Sequence, residues 1–203
     1  MRENFVYRYG DNLYVNLTNK CCNSCDFCIR KNGDGIGDSG CLWLDREPAA
    51  KECIDLIEKF LHEEKGFNEV VFCGYGEPLM RFDTVMEVCR YIKKNSNASI
   101  RINTNGHANH CAGRDVTPEM KGLVDTISIS LNASTAAEYQ KICKCDFGED
   151  GFWEMLDFAK KAKEYVPHVV LSVVDVIGKD EIEACRKIVQ DIGVEYRVRE
   201  YSE

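Results

Sequence analysis

Short apolar runs alternate along this chain with longer stretches whose apolar residues recur every three or four positions. "LYVNLT" (13–18) reads as a strand, and "FVYRY" (5–9) precedes it across the turn "GDN", which predicts a short N-terminal β-hairpin. "PAAKECIDLIEKFLHEEKG" (48–66) sets Ala50, Cys53, Ile54, Ile57 and Leu61 at helical spacing, with Pro48 suited to a helix start and Gly66 to a stop. "EVVFC" (69–73) is a continuous apolar run of the fully buried strand type. A helix over 83–94 stacks Val85, Val88, Cys89 and Ile92. "SIRINT" (99–104) and "TISISLN" (126–132) alternate with period two. A helix over 151–165, a strand "HVVLSVV" (168–174), a helix over 179–192 and a strand "VEYRVR" (194–199) complete the pattern.

About six strands joined mostly by helical crossovers predict an α/β fold with parallel strands and right-handed connections, either a doubly wound sheet or a barrel. Six βα units fall short of the eight in a complete barrel. Both architectures bind ligands at the C-terminal ends of their strands. Strand parity assigns the faces: Ile100 and Ile102 oppose Arg101, Asn103 and Asn105, and Ile127, Ile129 and Leu131 oppose Ser128, Ser130 and Asn132. Asn16 and Thr18 oppose Val15 and Leu17 in the same way. Outer helices need the apolar faces, so the polar faces point inward.

The composition narrows the partners. The chain has 203 residues, 44% hydrophobic, enough for one sizeable domain over 1–203. A net charge of −8 excludes bulk electrostatic binding of nucleic acid. The most apolar run, "VVLSVVDVI", is broken by Asp175 and falls short of the ~18 residues of a membrane span. The first dozen residues carry no apolar signal core, so a cytoplasmic location is expected. Twelve cysteines in a reducing compartment then suggest a metal or cluster rather than disulfides. Cys53, Cys89 and Cys185 lie in phase with helical cores and read as small buried hydrophobes.

The cysteines bunch in "KCCNSCDFC" (20–28), directly after the first long strand. Cys21, Cys25 and Cys28 have the spacing C-x3-C-x2-C; Cys22, Cys25 and Cys28 offer a competing register. A four-iron cluster takes four thiolates when fully ligated, so three leave one iron open to a small molecule. Zinc would want two paired C-x2-C knuckles, and only one is clear, since Cys143-Lys144-Cys145 has the wrong spacing.

"CCNSCDFC" with Phe27 as the aromatic, together with "GYGEP" (74–78), resembles the radical S-adenosylmethionine (SAM) superfamily, and the resemblance selects Cys21 over Cys22. It implies a partial (β/α)6 TIM-like barrel over residues 13–200, a 4Fe–4S cluster on Cys21, Cys25 and Cys28, and SAM on the open iron. It implies reductive cleavage of SAM to a 5′-deoxyadenosyl radical that abstracts hydrogen from a substrate, with reduced ferredoxin or flavodoxin as electron donor. Phe27, Gly74, Gly76 and Glu77 become SAM-binding candidates: the glycines let backbone approach the ligand, and the Glu77 carboxylate faces the SAM ammonium. Asn105 and Asn132, at strand ends, and Ser130 and Asp175 are further SAM-binding candidates, against the ordinary reading of Asn as a loop cap. "GIGDSG" (35–40) matches G-x-G-x-x-G but follows no strand, and reads as a flexible cover over the cluster.

Glu195, Arg197 and Arg199 share one face of the last strand: facing inward, the arginines join Arg101 as candidates for an anionic substrate group, and facing outward they are a solvated edge; the inward reading points toward a nucleotide-type substrate among small-molecule, nucleotide and peptide choices. Cys111, Cys143 and Cys145 are candidate hydrogen-atom donors or ligands of a second cluster. Lys20, Arg30 and Lys31 flank the cluster loop, as a solvated surface or a dock for an acidic electron donor. Within the superfamily, "RKNGDGIGDSGCLWLDREP" looks most like the TatD-associated radical SAM proteins. The alternative from another class is a non-catalytic iron–sulfur or zinc module for electron transfer or scaffolding, which would have no use for Gly74–Pro78.

Overall fold

A computed structural model describes residues 3–63 and 66–201. Seven strands form one sheet in sequence order: β1 (Val6–Tyr9), β2 (Asn12–Val15), β3 (Glu69–Phe72), β4 (Ser99–Thr104), β5 (Thr126–Ser130), β6 (His168–Val174) and β7 (Glu195–Arg199). β1 pairs antiparallel with β2, as a hairpin of adjacent short strands must, and every later pair is parallel. Sequence order becomes spatial order because each helical crossover returns the chain beside the strand it left. β1 and β7 are the two edges, so the six parallel strands form a barrel that is left open.

Among the described residues six helices connect the strands: α1 (Ala50–Leu61), α2 (Phe82–Asn95), α3 (Ala108–Ala112), α4 (Ala136–Cys143), α5 (Asp150–Ala162) and α6 (Lys179–Ile192). The core lies between them and the outward strand residues. Phe72, Ile100, Ile102, Ile127, Ile129 and Leu171 meet Ile57, Val85, Cys89, Phe158 and Cys185, all fully buried. Cys53, Cys89 and Cys185 are thus core residues, as their helical phase predicts. Among the described residues no helix is long and apolar enough to cross a membrane.

β4, β6 and α6 have their predicted bounds. β2 ends at Val15, short of the predicted Thr18; the Asn16 N–H still follows the hairpin register to Phe5 O at 2.8 Å, and its side-chain amide donates to Leu42 O at 2.8 Å. α1 ends at Leu61, before the predicted stop at Gly66, and residues 64 and 65 lie outside the described residues. α5 ends at Ala162 rather than 165. The glycine-rich stretch 33–40 is anchored rather than loose. Tyr75 donates to Gly33 O at 2.8 Å, Leu42 N–H donates to Asp34 O at 2.6 Å, and Leu42 packs with Tyr7 and Tyr75 over the inner face of the hairpin.

Candidate active site

The cysteine loop owes its shape to the end of α4. The last carbonyls of a helix have no partner within it, and here the loop supplies the donors. Ser24 N–H reaches Cys143 O at 2.9 Å and Asp26 N–H reaches Ile142 O at 3.0 Å, while Asp146 N–H returns to Cys22 O at 2.9 Å. The Asn23 amide donates to the hydroxyl of the fully buried Tyr139 at 2.9 Å. Lys144 adopts the left-handed conformation that ends α4 and forms an ion pair with Asp26.

The four adjacent cysteines are not equivalent. Cys21, Cys25 and Cys28 are each partly exposed, whereas Cys22 is buried at 4% exposure. The Cys22 thiol lies 3.4 Å from His107 Nδ1 and accepts from the Asn105 amide at 3.0 Å. Interaction with the neighbouring Cys111 thiol raises Cys22 and lowers Cys111. Interaction between Cys25 and Cys143 likewise lowers Cys25 and raises Cys143. Burial pushes Cys21 up to about 12, against the opposing charge of Arg30. Among the described residues no three metal-capable side chains converge. The donor set nevertheless suits a cluster: three partly exposed cysteines on one loop, beside a cation, while the neighbouring Cys22, Cys143 and Cys145 are buried.

The second motif is locked to this loop by backbone. Glu77 N–H donates to Lys20 O at 2.8 Å. A Cβ on Gly76 would stand 2.3 Å from Thr18 O and 2.6 Å from Lys20 O; one on Gly74 would stand 2.0 Å from Asn16 Oδ1. Both glycines are therefore required by contact between β2 and β3 ends, whatever ligand follows. The Glu77 carboxylate is buried and accepts from Thr104 Oγ1 (2.7 Å), Asn105 N–H (2.7 Å) and Leu79 N–H (3.0 Å). Its partners are thus protein donors, where the motif alone suggested an open carboxylate. Burial without a cation raises it to about 7, despite those three bonds.

The remaining candidates separate by position. Asn105 is buried against Cys21 and Cys22, its amide 3.8 and 3.0 Å from their sulfurs. Asn132 is buried at φ 57, and its Oδ1 accepts from Val174 N–H at 3.3 Å, a strand-end cap. Ser130 faces inward beside Arg199, at 3.5 Å. Asp175 is exposed and caps Tyr201 N–H at 2.9 Å, apart from the buried strand ends. Phe27 lines a cleft of about 490 Å³ with Ile142, Val176, Ile177 and Tyr201. Arg101 is held by Glu69 at 2.8 Å; Arg197 is exposed, and Arg199 is half-buried on the same face. Cys143 and Cys145 are buried beneath the loop and Cys111 is exposed on α3.

Sequence reasoning passed over Tyr139, His107 and Cys73. Tyr139 and His107 belong to short elements that lack a clear periodic signal. Cys73 was readable: it continues the inward parity of Val71, is partly exposed, and bonds Asn103 on the next strand.

The chain matches the family model described as the Radical SAM superfamily over residues 15–192. It belongs to that superfamily, a family of enzymes that bind a 4Fe–4S cluster and SAM. No curated protein matches it. Among solved structures, SuiB of Streptococcus suis bound to its precursor peptide SuiA is similar at TM-score 0.69 and 14% identity, covering 98% of this chain and 41% of that one. A radical SAM methyltransferase from Sphaerobacter thermophilus is similar at 0.63 and 14%, covering 96% and 68%. Methylornithine synthase (PylB) is similar at 0.60 and 16%, covering 94% and 53%. The chain thus spans 41% of the SuiB chain it resembles. At these identities the likeness is one of fold, the partial TIM barrel.

Proposed function

We propose that this chain is a radical SAM enzyme in which Cys21, Cys25 and Cys28 hold the cluster and the Gly74–Glu77 turn holds SAM. The observation that carries the assignment is that these three cysteines are partly exposed on the loop while Cys22 is buried. The buried thiol is committed to His107, Asn105 and Cys111, which supports the register beginning at Cys21. When bound, the cluster supplies the electron that cleaves SAM to a 5′-deoxyadenosyl radical.

The chain's own residues do the positioning. Glu77 acts through its bonds to β4, fixing Asn105 against the loop, and the turn's backbone carbonyls would accept from the SAM ammonium. Phe27 and the apolar wall of Ile142, Val176 and Ile177 suit the adenine face of SAM. Asn132 and Ser130 line the inner wall at the same level, with Asp175 at its rim. Cys111, Cys143 and Cys145 remain hydrogen-donor candidates only if the loop opens toward them, since two of the three are buried. The electron comes from an external one-electron donor such as a reduced ferredoxin or flavodoxin. The TatD-associated subtype rests on residues 30–48 alone.

The test is anaerobic reconstitution with iron and sulfide, reduction with dithionite and addition of SAM. Release of 5′-deoxyadenosine is expected. Uptake of zinc alone, or a cluster that leaves SAM intact, would support the electron-transfer or scaffold reading instead.

A further inference from the structure

We infer that Arg199, assisted by Arg197, is a clamp for a phosphate group on the substrate. The inference rests on the radical SAM reading and names the substrate class for its site.

Arg101 and Arg199 lie on inward strand faces, with the more exposed Arg197 on the same face as Arg199, and the three differ in what neutralises them. Arg101 donates twice to Glu69, at 3.0 and 2.8 Å, and once to Asn103. Arg199 meets no carboxylate among the described residues. Its Nη2 lies 3.5 Å from the Ser130 hydroxyl, and its Nε is buried with no partner. Arg197, two residues earlier on the same face, also forms no ion pair among the described residues. The one acid of that face of β7, Glu195, is bonded to His168 Nδ1 at 3.0 Å.

A partly desolvated guanidinium without a counterion is costly, more so beside a second one. Burial and the charge of Arg197 both act against the charged form of Arg199. An anion arriving between them relieves both effects. The guanidinium is planar, and its two Nη groups suit two oxygens of one oxyanion, while the buried Nε has no protein partner to offset its charge. Two uncompensated positive charges match a phosphate monoester; a carboxylate would leave one unmatched. The thiols of Cys73 and Cys25 lie within the electrostatic surroundings of Arg199, so a phosphate held there extends the rest of the substrate toward the cysteine loop. β7 is a sheet edge, with no strand hydrogen-bonded on its far side among the described residues.

The experiment uses the reconstituted full chain and inorganic phosphate as the probe, followed by calorimetry, with acetate at equal ionic strength for comparison. Phosphate is expected to bind about tenfold more tightly than acetate, and Arg199→Met to weaken it by about tenfold. Arg199→Lys keeps the charge and loses the planar edge. It decides the case if the Met variant fails to fold: loss of the phosphate preference supports the clamp, an unchanged preference overturns it. Equal phosphate affinity in the parent and Arg199→Met overturns the clamp, and so does acetate binding as tightly as phosphate. A parallel fall in SAM affinity would assign Arg199 to the cofactor's carboxylate and also overturn it. SAM cleavage measured on the parent separates the two claims: phosphate binding without 5′-deoxyadenosine refutes the radical reading alone, and the converse refutes the clamp alone.

Discussion

The Glu77 carboxylate accepts the backbone N–H of Asn105 at 2.7 Å, and this bond ties the end of β3 to the end of β4. The carboxylate is buried without a cation and titrates at about 7, above its ordinary 4.5. A carboxyl raised on folding contributes stability that is fully present below about pH 4.5 and is lost as pH rises through about 7. Glu77→Gln cannot titrate. Urea midpoints of the cluster-free chain and this variant, compared across that window, should diverge in the variant's favour as pH rises, by at most ~1.4 kcal/mol per pH unit. Parallel curves would show that Glu77 ionises as it does in water.

Gly74 and Gly76 predict opposite responses to a second substitution. A Cβ at Gly76 meets only backbone of Thr18 and Lys20, which cannot retreat. Gly76→Ala should cost ~3 kcal/mol or leave the chain insoluble, with no side-chain truncation restoring it. At Gly74 the obstacle is the Asn16 side chain. Asn16→Ala should recover ~1–3 kcal/mol of the Gly74→Ala loss in a double-mutant cycle. Strict additivity would mean that the two residues do not meet.

Tyr139 holds the cysteine loop from below through Asn23, whose Oδ1 already lacks a partner. Tyr139→Phe keeps the ring and strands the Asn23 amide. It should cost ~1–2 kcal/mol in thermal or urea unfolding and slow iron uptake during reconstitution. Unchanged stability would place the loop's anchorage wholly in its backbone bonds to residues 142–146.

The long, strongly periodic elements were legible because one apolar face suffices to define them: β4, β6 and α6 have their predicted bounds. α3 and α4 were not, since five and eight residues make only about one and a half and two helical turns, too few repeats of an apolar face to stand out. Their absence hid the thiol pairs Cys22–Cys111 and Cys25–Cys143, which join residues more than eighty positions apart. The motif "GYGEP" showed that Glu77 stands at a strand end, but a motif does not say which way a carboxylate turns. Parity put Arg101 on the inward face of β4 and Arg197 with Arg199 on one face of β7 without saying whether that face turns inward; only the folded sheet sets Glu69 diagonally beside Arg101 and leaves Arg199 without an ion pair among the described residues.

The central claim is that Cys21, Cys25 and Cys28 are the cluster ligands and Cys22 is not. Alanine variants at the four positions, reconstituted side by side without oxygen, test it directly through iron content and 5′-deoxyadenosine released per chain. Loss of both in Cys21→Ala, Cys25→Ala and Cys28→Ala, with both retained in Cys22→Ala, is the predicted result. Retention in Cys21→Ala with loss in Cys22→Ala would contradict it.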